Sequence, residues 1–174
     1  PYPFARLHIT VASTLASDPQ GWCGSADRLT RILADLCELA RQAPGFLGIY
    51  NSLAGATVLD RNHFQLLAHE PNPWPLEEAL AGGGDRVCMT DPGRYPLSAW
   101  RFTGDLADVV SQAVEVTLTA REIAGDVAAE NYLASARNGV VSLYYVPRDS
   151  RHIAARPGFL IGSLETFGEM ISEG

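Results

Sequence analysis

The spacing of apolar and polar positions divides this chain into alternating strand-like and helix-like stretches. From Arg6 to Val11 the residues alternate, with Leu7, Ile9 and Val11 on one side and Arg6, His8 and Thr10 on the other, which predicts a half-buried strand. Between Ser25 and Ala43 the period changes: Leu29, Ile32, Leu33, Leu36, Leu39 and Ala40 fall on one helical stripe. Ser25 is placed to cap its start, and Pro44-Gly45 ends it. Phe46 to Tyr50 reads as a short apolar strand and Asn62 to His69 as the next. In the latter, Arg61, His63, Gln65 and His69 share one face, and Asn62, Phe64, Leu66 and Ala68 the other.

Pro71, Pro73 and Pro75 then break the pattern, Gly82-Gly83-Gly84 marks a loop, and Asp85 to Arg94 has no readable period. Tyr95 to Phe102 reads as a strand whose Pro96 assigns it to an edge or a strand start. Leu106, Val109, Val110, Ala113, Val116 or Thr117, and Ala120 predict a second long helix over Asp105 to Ile123. Asn138-Gly139 separates Asn131–Arg137 from Val140–Pro147. Both turn positions of such a two-residue loop need positive φ, so the pair predicts a hairpin. A last helix is expected over Gly162 to Ser172.

Strand, helix, two strands, then strand, helix, hairpin, helix describes an α+β domain with a mainly antiparallel sheet and helices packed on one side. At 174 residues, 47% hydrophobic and 19% charged, one domain spanning 1–174 is expected rather than a disordered chain. No apolar run approaches bilayer length, so no membrane association is expected. A formal charge of −7 argues against long nucleic acid, which needs clustered Lys and Arg, but leaves room for a nucleotide. Cys23, Cys37 and Cys88 have no C-x-x-C spacing. Zinc ligation and a disulfide framework are disfavoured, no metal or cofactor is called for, and a reducing, cytoplasmic setting is expected. Pro1, followed by Pro3, reads as an extended lead-in rather than as the N-terminal general base of a tautomerase.

The chemistry concentrates between Tyr50 and Gln65. A small-residue turn precedes a strand that presents His63 and Gln65 on one face, about 6–7 Å apart. Glycine lets backbone N–H groups approach an anion, and an imidazole beside it can attack phosphorus. Asn51-Ser52, Ala54-Gly55-Ala56 and His63-Phe64-Gln65 resemble the active-site signature of the histidine-triad superfamily, in its galactose-1-phosphate uridylyltransferase, diadenosine tetraphosphate phosphorylase and GDP-hexose phosphorylase branch. Pro1 to Phe4 with His8 to Val11, Asp18-Pro19-Gln20, Pro75 to Ala79, Asn131-Tyr132-Leu133, Tyr144 to Arg148 and Ile161 to Glu165 extend the resemblance, thin per residue, along most of the chain in the right order.

The resemblance implies that His63 is a nucleophile that becomes nucleotidylated and that Gln65 donates to a phosphate oxygen. Asn51, Ser52, Ala54, Gly55, Ala56 and His8 would line the nucleotide and phosphate site, and Arg148 with Arg151 reads equally as a phosphate clamp or as a solvated charge cluster. Two departures stand out. Arg61 occupies the place of the first motif histidine, either as a bidentate phosphate clamp or as a sign of altered catalysis. Glu130 replaces the histidine of a second-half His-Asn pair whose asparagine is Asn131.

The expected function is therefore a nucleotidylyltransferase or nucleoside di- or polyphosphate phosphorylase acting on a nucleotide, a nucleotide sugar or a small phosphorylated substrate. The alternatives are a phosphate hydrolase or lyase on the same pocket and a catalytically silent nucleotide-binding module. The sheet edge of such a fold is expected to be covered in a homodimer or in an internal pseudo-dimer, with 1–94 as the motif-bearing half and 95–174 as a degenerate second half.

Overall fold

The computed structural model describes residues 7–160 apart from 16, 53–55, 57, 69–72, 83, 85, 153 and 157–158. The chain runs β1 (His8–Ala12), α1 (Ala26–Gln42), β2 (Phe46–Asn51), β3 (His63–Ala68), α2 (Pro75–Leu80), β4 (Val87–Met89), β5 (Trp100–Gly104), α3 (Leu106–Ala124), β6 (Ala128–Arg137), β7 (Val140–Asp149), β8 (Ala154–Arg156) and β9 (Phe159–Leu160). β1 to β7 form one seven-stranded sheet in the order β1-β3-β2-β6-β7-β5-β4, with every neighbouring pair antiparallel. β8 and β9 pair separately.

Both long helices form where the spacing predicts. In α1 the Ser25 hydroxyl accepts the Arg28 N–H at 3.3 Å, and Leu29, Ile32, Leu33, Leu36, Cys37 and Ala40 are buried. α3 starts after Asp105 and ends at Gly125, whose φ of 65° falls in the left-handed region. Both helices cover one face of the sheet, packing on Tyr50, Phe64, Tyr132, Ala134, Val141, Leu143 and Tyr145. Gly48 allows the close approach of α1, since a Cβ there would stand 3.0 Å from the tip of Leu36.

The hairpin turns at Asn138-Gly139, with φ of 52° and 79°, and its strands pair from Ala128↔Asp149 to Arg137↔Val140 without a break. Tyr144 and Val146 face one side of the sheet, and Val141, Leu143 and Tyr145 the other, as the alternation requires.

Several expectations are corrected. Pro75 does not merely break the pattern: it opens α2, where a missing N–H costs nothing, and the Glu77 carboxylate reaches back to the Trp74 N–H at 3.0 Å. α2 lies on the face opposite the long helices, with Leu76 and Leu80 against Leu47, Ile49, Leu67, Leu133, Tyr144 and Val146. The unreadable stretch contains β4, which pairs with β5. β5 itself begins at Trp100, beyond Pro96, rather than at Tyr95. Leu7, just before β1, and Ile9 within it are exposed and only Val11 packs on the core, since β1 is an outer strand of the sheet. Pro1 and the expected final helix lie outside the described residues.

The two halves of the sheet repeat one plan. β1-α1-β2-β3 and β5-α3-β6-β7 share the order strand, helix, strand, strand, and in each the last strand lies between the other two. They meet where β2 pairs with β6, Asn51 opposite Asn131. The same sequence interval separates Asn51 from Asn131 and the helix caps Ser25 from Asp105.

Candidate active site

The α2 face of the sheet is apolar at one end and polar at the other. Leu47, Leu67, Leu133 and Tyr144 are covered by α2, Tyr95 and Ala99. One or two residue pairs further along the same strands, the same face carries His63, Gln65, Asn51, Asn131 and Arg148. The Asn131 Nδ2 donates to Asn51 Oδ1 at 2.8 Å, and the Arg148 Nη1 donates to Asn131 Oδ1 at 3.0 Å. A ladder of amide, amide and guanidinium thus crosses β2, β6 and β7. Asn131 is fully buried, which holds the Arg148 head in place from below.

His63 is half-buried and begins β3. Its Nδ1 lies 3.0 Å from the carbonyl oxygen of Arg61. A carbonyl can only accept, so this contact puts a proton on Nδ1, and in the neutral ring the lone pair is then on Nε2. The partner is main chain, so the tautomer does not depend on which side chain stands at position 61. The Arg61 side chain is exposed.

Gln65 is half-buried on the His63 face, opposite Ile49 of β2 and Thr10 of β1. His8 shares that face but pairs with Leu67, whereas His63 pairs with Ala12. Four residues at about 3.3 Å each separate them along the strand, so His8 stands at the apolar end, about 13 Å away. Burial pushes its imidazole pKa down. Ser52 is buried, and its N–H donates to the Glu130 carbonyl at 3.2 Å. Ala54 and Gly55 lie outside the described residues, and Ala56 is half-buried beside them. Of the residues singled out in the sequence, the structure therefore gathers His63, Gln65, Asn51 and Arg148, while His8 and Ser52 stand apart.

Two residues near this site carried no assigned role in the sequence. Glu130 is a buried carboxylate on the helix face, bonded by the Arg121 guanidinium at 2.9 Å and by Trp22 Nε1 at 3.4 Å, with Arg121 also lying over the Trp22 ring. Gln20, visible in the sequence only within a loop, is buried, and its amide joins the backbones of Asn51 and His63.

The loop that carries Gln20 is tied down on several sides. Asp18 pairs with Arg28 at 2.7 Å, and Arg28 Nε donates to the Gly21 carbonyl at 2.8 Å. The Tyr50 hydroxyl accepts the Gly21 N–H at 2.8 Å and donates to Asn62 Oδ1 at 3.0 Å. A hydrogen bond from Ser13, with help from Arg28, holds the Asp18 carboxyl below its ordinary pKa.

A separate cleft of about 590 Å³ lies between β1 and α1, lined by Val11, Arg28, Arg31, Asp35, Asn62 and Phe64 among others; neither His63 nor Gln65 borders it. Among the described residues no cluster of His, Cys, Asp and Glu is arranged to hold a metal ion, and no helix is long and apolar enough to cross a membrane.

No protein-family model matches the chain, and no curated protein matches it by sequence. Among solved structures, the fold superimposes on yeast Ap4A phosphorylase Apa2 with a TM-score of 0.60 at 18% identity, over 95% of this chain and 60% of that one. It also superimposes on a DUF4931 family protein from Bacillus cereus, with a TM-score of 0.53 at 11% identity, over 98% of this chain and 86% of that one. The chain thus spans less than two thirds of the length of Apa2. The likeness is one of architecture: the α+β fold with its seven-stranded antiparallel sheet is similar to that of Ap4A phosphorylase.

Proposed function

We propose that this protein is a nucleotidylyltransferase or nucleotide phosphorylase that works through a His63–nucleotide intermediate. The observation that carries the reading is the Nδ1 contact of His63 with the Arg61 carbonyl, which leaves Nε2 as a nucleophile beside the amides and guanidinium of one polar sheet end. The architectural likeness to an Ap4A phosphorylase supports the substrate class, a nucleotide with two or more phosphates.

In the first step Nε2 attacks the α-phosphorus. An N–P bond forms, the P–O bond to the next phosphate breaks, and that phosphate leaves. In the second step an oxygen of inorganic phosphate or of a phosphorylated acceptor attacks the same phosphorus, the N–P bond breaks, and the imidazole is restored. Gln65 donates its amide N–H to a nonbridging oxygen as charge grows there, and Arg148 holds the neighbouring phosphate. The second strand-helix-strand-strand unit acts as a degenerate half of an internal pseudo-dimer, supplying Asn131 and Arg148 instead of a second nucleophile. The β2–β6 ladder supports this internal form over a homodimer.

Incubation with α-labelled nucleotides and diadenosine tetraphosphate, followed by intact-mass measurement, tests the reading. A gain of one nucleoside monophosphate is expected, acid-labile as a phosphoramidate is, and absent in His63→Ala. Turnover without an adduct would replace transfer by direct hydrolysis or lysis on the same pocket. Binding without turnover would leave a silent nucleotide-binding module.

A further inference from the structure

The ladder between β2 and β3 stops at Ile49↔Gln65, and two positions further that register would set Asn51 opposite His63. There the side chain of Gln20 takes the place of the direct pair. Its Oε1 accepts the His63 N–H at 2.8 Å, and its Nε2 donates to the Asn51 carbonyl at 2.5 Å and to the His63 carbonyl at 3.3 Å. A side-chain amide has one acceptor and a pair of donor hydrogens, so it stands in for the peptide groups that two paired residues would offer each other. Gln20 is only 3% exposed, and its own N–H donates to the Leu59 carbonyl at 3.0 Å.

The other unit has no such insertion. Asn131 pairs directly with Val146 in an unbroken ladder, and Val146 is an apolar residue buried in the core. The insertion therefore occurs at the strand pair that bears the histidine and is missing from the corresponding pair that lacks one. Two hydrogen bonds and an amide now span the gap that a single N–H···O bond would close, so the strands part at the polar end while their backbone groups stay satisfied.

We propose that Gln20 is a positioning residue for His63: it sets the separation of the Asn51 and His63 backbones and thereby the aim of the imidazole. It touches no substrate, and the proposal rests on the reading of His63 as nucleophile. Gln20→Glu is the sharpest variant, because the carboxylate is nearly isosteric and keeps the acceptor for the His63 N–H but presents an oxygen to the Asn51 carbonyl. The rate of adduct formation at saturating nucleotide is expected to fall about tenfold to a hundredfold, with KM changed far less. In the nucleotide-free protein, the imidazole ¹⁵N resonances of His63 should move away from the pure Nδ1–H pattern.

Gln20→Asn keeps the amide but is too short to bridge both strands. It should shift the same resonances to a smaller extent, and it decides the matter if Gln20→Glu does not fold. Loss of melting temperature alone, with resonances and saturating rate unchanged, would reduce Gln20 to a structural residue and overturn the proposal. The resonances need no nucleotide. A wild-type protein that never forms an adduct would therefore sink the nucleophile reading, while the spectrum still reports whether Gln20 sets the ring.

Discussion

The strand-helix-strand-strand units on either side of the β2–β6 seam share a plan and differ in what they carry at one register. In the first, the position opposite Asn51 is His63, half-buried, with Gln65 two residues on. In the second, the position opposite Asn131 is Val146, buried, with Arg148 two residues on. The first ladder is opened by Gln20, and the second is closed from end to end. On the proposed reading one nucleophile is enough, which leaves the matching position in the second unit to core packing. Architecture is thus conserved between the units where it holds the sheet, and chemistry diverges at the one end of the sheet left polar.

The largest effect should come from exchanging the two matched positions for alanine. His63→Ala is expected to lower adduct formation by about 10³-fold or more, because no neighbouring group replaces the nucleophile. Val146→Ala should instead cost about 1–3 kcal/mol of stability through the cavity it leaves, with the saturating rate unchanged. Denaturant unfolding and single-turnover labelling on both variants check the pair. A rate loss of similar size in Val146→Ala would erase the functional difference between the units.

Arg148 tests what the second unit keeps. If its guanidinium holds a substrate phosphate, Arg148→Met should raise KM about tenfold to a hundredfold, and Arg148→Lys should recover only part, since an ammonium cannot reproduce the two-pronged contact. Steady-state kinetics with a fixed nucleotide measure this. A change in melting temperature with KM unaltered would assign Arg148 to the Asn131 network alone.

A smaller difference lies in how the site loop is anchored. The Asp18 carboxyl sits below its ordinary pKa, through Ser13 and then Arg28. The unfolded chain therefore binds this proton more tightly than the folded one. The stability Asp18 contributes is fully present above the ordinary carboxylate range and is lost as pH falls through the lowered value. Asp18→Asn should be less stable than wild type at neutral pH, and the gap should shrink in acid. Urea unfolding at both pH values would show this, and a gap that widened in acid would contradict it.

Local patterns made most of this legible. The His63 and Gln65 face followed from a period of two, the two long helices from their stripes, and the hairpin from a dipeptide whose φ values the turn demands. What stayed hidden depends on partners distant in sequence. Gln20 looks like any loop amide until β2 and β3 are seen to part around it. The exposure of Leu7 and Ile9 follows from the place of β1 at the edge of the sheet, which no window of sequence encodes. α2 is hidden because three prolines read as a break, although Pro75 stands where a helix start accepts one. His8 shares the His63 face, but alternation gives the face of a residue and not its distance along the strand, and the structure sets His8 at the apolar end opposite Leu67.

The smallest expected effect belongs to Arg61, the residue whose identity departs most from the resembled signature. If the first motif position acts through its carbonyl, any side chain that leaves the backbone in place keeps the His63 tautomer. Arg61→His and Arg61→Met should then both retain the saturating rate of adduct formation. The exposed guanidinium would still contribute to binding, so Arg61→Met should weaken nucleotide affinity by about 1 kcal/mol, roughly fivefold, as a solvent-screened charge does. The two contributions separate in one titration: the side chain moves KM, and the carbonyl governs the saturating rate. A collapse of the rate in Arg61→Met, with rescue in Arg61→His, would show instead that the side chain takes part in the chemistry. The first unit would then hold two reactive groups at the end of the sheet where the second holds none.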